Sequence, residues 1–131
     1  MDLVGELARQ LQLPENAARG LAGQVLALIE GLVRERVSYG LAARLTDAVP
    51  EAARWQRSAP TLPPGALSSR PSEPVTERTE FHEVLERFRL PPKVLPAVAR
   101  LTLQFLAARL DDRHFTQIDA VVRAELGGHA P

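Results

Sequence analysis

The chain has 131 residues, with 16 basic and 16 acidic side chains, no cysteine, 45% apolar residues and only 5% aromatics. This length suits one ordinary domain or two small repeats sharing a core. The missing cysteines exclude a disulfide scaffold and thiolate chemistry and fit a reducing compartment, and the balanced charge disfavours general nucleic-acid binding, which draws on a basic excess.

In chain order, the first apolar stripe is Leu3, Val4, Leu7, Ala8 and Leu11, which predicts a helix over residues 3–12 with Asp2 as its cap. Leu13 and Pro14 break it, and Pro14 suits the first turn of the next helix. That helix is predicted over residues 15–36. Its wide apolar face, from Ala18 to Val33, makes it the central, most buried element. Ser38 caps a third helix over residues 39–48, and Pro50 ends it.

Residues 51–76 read as a Pro-rich tether, part polyproline II and part disordered. With Pro50, this stretch holds six of the eleven prolines. Trp55, the only tryptophan, lies at its start and either folds back over the core or stays exposed as a partner anchor. Arg57, Pro60 and Pro63 match the spacing that SH3-type grooves recognise, so Trp55, Arg57, Pro60 and Pro63 are candidate partner-binding residues.

After the tether the pattern recurs. Residues 2–50 align without a gap on residues 79–127, 77 positions later. Among the 49 pairs, 7 are identical and 17 are apolar on both sides. Thr79 takes the place of Asp2, Leu90 and Pro91 that of Leu13 and Pro14. Pro96, at the place of Arg19, predicts a late start for the second long helix after an irregular turn. Asp111 and Asp112 end that helix. Thr116 and Asp119 then form a candidate capping box for the last one, which Gly127 and Gly128 stop.

The expected fold is therefore all-α: two pseudo-symmetric three-helix repeats packed into one helical bundle. Repeat one spans residues 1–50, the tether 51–76, repeat two 77–127 and a tail 128–131. Each repeat alone would be marginal, so one fused core is expected, with a swapped dimer as the alternative.

A short helix, a Leu-Pro turn, a long Ala/Leu-rich helix and a short third helix, all occurring twice, resemble the bacterial domain of unknown function two-two-six-seven. The residues that carry the likeness are Leu13, Pro14, 22–36 and 41–50, then Leu90, Pro91, 99–113 and 118–127. Gly20, Gly23 and the run Ala48, Val49, Pro50 also resemble domain of unknown function two-seven-eight-zero. The chain departs from the pattern in its long linker and in closing on Leu126 and Gly127. The resemblance implies a helical fold and a bacterial source, and no activity or functional residue.

Chemistry-bearing patterns are sparse. His82 and Glu86 share a predicted helix face, and Asp111, Asp112 and His114 cluster at a helix end. Nothing brings the two groups together, so no metal, cofactor or catalytic residue is expected and the chain reads as a non-enzyme. No segment is apolar enough to span a membrane, and the N-terminus does not read as a signal peptide, which makes the cytoplasm the expected location. Three functions remain. The first is a protein-interaction or scaffolding module whose partner is another protein, with a homodimer also open. The second is a binder of small apolar ligands or lipids in a groove near Gly20, Gly23 and Gly31. The third is a regulatory DNA-binding protein using Arg109, Arg113 and Arg123.

Overall fold

A computed structural model describes residues 2–57 and 80–127. Among these residues all regular structure is helical: α1 (Leu3–Leu11), α2 (Glu15–Arg36), α3 (Tyr39–Ala48), α4 (Ala52–Gln56), α5 (Glu80–Arg87), a 3-10 turn (Pro92–Val94), α6 (Leu95–Arg109) and α7 (Asp112–Gly127). No helix among them is long and apolar enough to cross a membrane.

Helices α1 to α3 follow the apolar periodicity closely. The side chain of Ser38 accepts the Leu41 N–H at 3.1 Å, satisfying one of the free donors at the start of α3. Pro14 sits one position earlier than expected, just outside α2 in an extended conformation. Asp2 occupies the capping position of α1 without a side-chain capping bond.

The Leu-Pro break has a specific backbone cause. Gln12 takes a left-handed conformation (φ 57°), and the Leu13 N–H turns back to the Ala8 carbonyl at 3.0 Å. The same carbonyl also accepts the Gln12 N–H, so both donors beyond the last helical turn are satisfied as the helix closes. The same turn recurs 77 positions on: Arg89 has φ 58°, and the Leu90 N–H reaches the Leu85 carbonyl at 3.0 Å. Among the described residues these are the only non-glycine residues with positive φ. A left-handed conformation costs an L-residue roughly 1–2 kcal/mol, partly offset in glycine by its greater unfolded entropy. Gln12→Gly and Arg89→Gly should each therefore stabilise the fold, by about 0.5–1 kcal/mol, measured by urea denaturation.

Three boundaries differ from the sequence reading. Residues 51–57 are not tether: they contain α4, which packs along α2. Residues 58–76 lie outside the described residues, as do Thr79 and Gly128. Helix α7 begins a turn earlier than Thr116, because Asp111 rather than Thr116 caps it. The Asp111 carboxylate accepts the His114 N–H at 2.8 Å, and its other oxygen meets His114 Nδ1 at 2.8 Å. That N–H holds the Asp111 carboxyl below the usual carboxylate value. Thr116 instead donates to the Asp112 carbonyl inside the helix, and Asp119 binds Arg123, so the capping box does not form. The late start of α6 is as expected: a 3-10 turn precedes it and Pro96 lies in its first turn, where the missing N–H is harmless.

The buried apolar side chains form one continuous cluster drawing on both halves of the chain. Helix α2 is its axis, packing on α1, α3, α4, α5, α6 and α7. Helix α1 also packs on α6, so each half lends its first helix to the other half's long one. Across the same seam, Arg36 pairs with Glu125 and Arg87 donates to Gln24 at 2.8 Å.

Candidate functional site

A concavity of about 910 Å³ lies between α6 and α7. Its floor is apolar. Leu95, Ala99, Leu103 and Ala107 recur along one face of α6, facing Phe115 and Leu126 of α7. This spacing places the α6 residues four apart on a single stripe. Pro92 and Pro96 close one end, and His82 of α5 also lines it.

Polar groups stand among this lining: Arg100 and Gln104 on α6, Asp119 and Arg123 on α7. Arg123 is held by Asp119 through Nε at 2.8 and 2.9 Å. Arg100 is exposed and makes no ion pair with any described residue.

On α2, one turn of the helix is closed by α4. The Gly23 backbone meets α4 so tightly that a Cβ there would lie 2.6 Å from the Trp55 carbonyl carbon, 2.9 Å from Gln56 Cα and closer still to Gln56 N. Real Cβ atoms do not approach backbone so closely. Trp55 folds back on the body, its ring 5.9 Å from that of Phe105 at 49°. Arg109 of α6 fastens the same element. Its guanidinium lies 4.4 Å from the centre of the Phe105 ring and donates to Glu51 at 2.7 Å and to the Ala48 carbonyl at 3.2 Å. Beside α4 lies a small pocket of about 190 Å³, among α2, α3 and α4.

The hydrogen bond from Arg109 holds the Glu51 carboxyl below its ordinary value, against a smaller opposing effect of burial. A carboxyl whose folded pKa is lowered contributes stability above its unfolded pKa of ~4.3, and loses it as pH falls through the folded value. Trp55 emission should therefore change on acidification below about pH 4, and the change should shrink in Glu51→Gln. An identical acid profile in that variant would contradict the latch.

The residues singled out in the sequence are dispersed. Trp55 packs on Phe105 and is half-buried. Arg57 is exposed, its N–H bonded to the last α4 carbonyls. Pro60 and Pro63 lie outside the described residues. Gly20 is buried, Gly23 is covered by α4, and Gly31 has only the end of Arg34 nearby, at 3.9 Å. None of these glycines lines the α6/α7 groove. His82 lines the groove while His114 closes the start of α7, and among the described residues no three His, Asp or Glu side chains converge. Of the three arginines considered for DNA, Arg109 and Arg123 are engaged by carboxylates. The groove itself was not foreseen.

Comparison with protein-family models, with curated proteins and with solved structures gave no match.

Proposed function

We propose that this chain is a non-catalytic interaction module whose α6/α7 groove receives a helical segment of another protein. The observation that carries this reading is a groove of about 910 Å³ with an apolar stripe for a floor and charged groups among its lining. An amphipathic helix lays its apolar face into such a surface, and an uncovered apolar concavity on a well-packed body commonly marks an interaction site. The volume also lies within the range of small-molecule sites, roughly 300–1,000 Å³, which keeps an apolar ligand as the second reading.

The two halves are best understood as copies of one three-helix unit, in line with the resemblance to domain of unknown function two-two-six-seven. The paired left-handed turns at Gln12 and Arg89, with the same backbone bond in each, support this. A bacterial, cytoplasmic setting goes with this reading.

The test uses a fluorescein-labelled amphipathic peptide of roughly 16 residues, made of Leu, Ala and Gln and long enough to hold helix. Wild-type protein should raise its anisotropy. Ala107→Arg, which places a long side chain in the groove from an exposed position, should weaken binding about tenfold or more. Absence of binding, unchanged binding in the variant, or displacement of the peptide by sodium decanoate would each contradict the helix-docking reading, the last in favour of an apolar ligand.

A further inference from the structure

The two halves differ at one surface, and the difference identifies the occupant. Leu103, Gln104, Ala107, Arg123 and Leu126 line the α6/α7 groove. The residues 77 positions earlier are Leu26, Ala27, Glu30, Thr46 and Val49. All five line the small pocket beside α4, which Ala52, Ala53 and Gln56 help to close. Among the described residues, the surface that lies open in the second half is thus the one on which α4 rests in the first.

Helix α4 shows how such a surface is filled. It lays its backbone across Gly23, leads with the acidic Glu51 paired to Arg109, and packs Trp55 one turn further on. In the second half the place of Gly23 is taken by Arg100. A long cationic side chain there forbids the close backbone approach that glycine permits. It offers instead a forked donor suited to a carboxylate. Arg123 is already neutralised by Asp119, while Arg100 makes no ion pair among the described residues.

We propose that the α6/α7 groove takes a short acidic amphipathic helix, in the position on α6 that α4 takes on α2 but without its close backbone contact, with a carboxylate meeting Arg100. This rests on the reading of the groove as a helix-docking surface. It adds the chemistry of the partner: apolar residues along one face, with Asp or Glu where the helix crosses α6.

The experiment compares two labelled peptides, identical except that the flanking positions carry Glu in one and Lys in the other, on the full chain at low salt. The Glu peptide should bind about tenfold or more tightly, a preference that falls as salt screens the pair. Arg100→Glu should reverse the preference, and Arg100→Gln should remove it while leaving binding of the uncharged peptide intact. Arg100 is exposed, so both variants should melt like the wild type. Equal binding of the two peptides, or a ratio unmoved by Arg100→Glu, overturns the acidic-partner proposal while the docking reading stands. Failure of every peptide, charged or not, overturns both. A dimer by light scattering that Ala107→Arg disperses would mean that a second copy fills the groove, and would also overturn the proposal.

Discussion

Leu106→Ala should lower the unfolding free energy by about 3–4 kcal/mol, which for a chain of this size is a fall in Tm of roughly 10 °C or more. Leu106 is wholly buried on α6, and the helix around it packs against α1, α2 and α7. Removing three carbons leaves a cavity that close-packed neighbours on several helices fill only in part. Ile29, 77 positions earlier on α2, is 1% exposed and belongs to the same apolar cluster, so Ile29→Ala should cost a similar amount. Both variants should unfold in a single denaturant transition with unchanged slope and a lower midpoint, because one core spans both halves. Two separate transitions, with only one displaced by each substitution, would mean that the halves are independent units.

Gly23→Val should be nearly as damaging, by about 2–3 kcal/mol from overpacking, and should expose Trp55. The obstacle is backbone: the Cβ would be driven into Trp55 and Gln56 of α4, and no rotamer relieves it. The contrast with Gly31 makes the cause visible. Replacing glycine by alanine inside a helix ordinarily gains about 1 kcal/mol. At Gly31 a Cβ would meet only the flexible end of Arg34 at 3.9 Å, so Gly31→Ala should stabilise by roughly that amount. Gly23→Ala should destabilise despite the same gain in propensity, since α4 must shift to admit the methyl. A red shift of Trp55 emission in the Gly23 variants, absent in Gly31→Ala, is the accompanying signature. Stabilisation by Gly23→Ala would show that α4 does not rest on this face.

The long helices were legible because their apolar residues recur over many turns, and because Ser38 and Pro96 punctuate them in ways that backbone chemistry dictates. Helix α4 was not. Five residues are too few to show a period, and Pro50 before it with prolines from residue 60 onward gives the stretch the composition of a linker. The available signal lay on the other element: Gly23, in the middle of a long helix, marked a place where another backbone approaches. The start of α7 was misread for a different reason. Thr116 and Asp119 have capping-box spacing, but Asp111 competes for the same role and wins with both of its oxygens on His114.

The groove was hidden by the same sequence likeness that made the fold readable. Aligning residues 2–50 on residues 79–127 emphasises what the two stretches share, namely the apolar pairs and the Leu-Pro turns. The groove arises from what they do not share: an element after α3 that lies across the first half, and Arg100 in place of Gly23 in the second. Trp55, the only tryptophan, is explained by packing on Phe105.

The most direct measurement is a titration of the ¹⁵N-labelled full chain with the acidic amphipathic peptide, followed by amide chemical shifts. Shifts should concentrate on α6 and α7, above all at Ala99, Arg100, Gln104 and Ala107, while Gly23, Trp55 and Gln56 stay in place. Largest shifts along α2 and α4, or no shifts at saturating peptide, would contradict the assignment of the α6/α7 groove as the working surface of this protein.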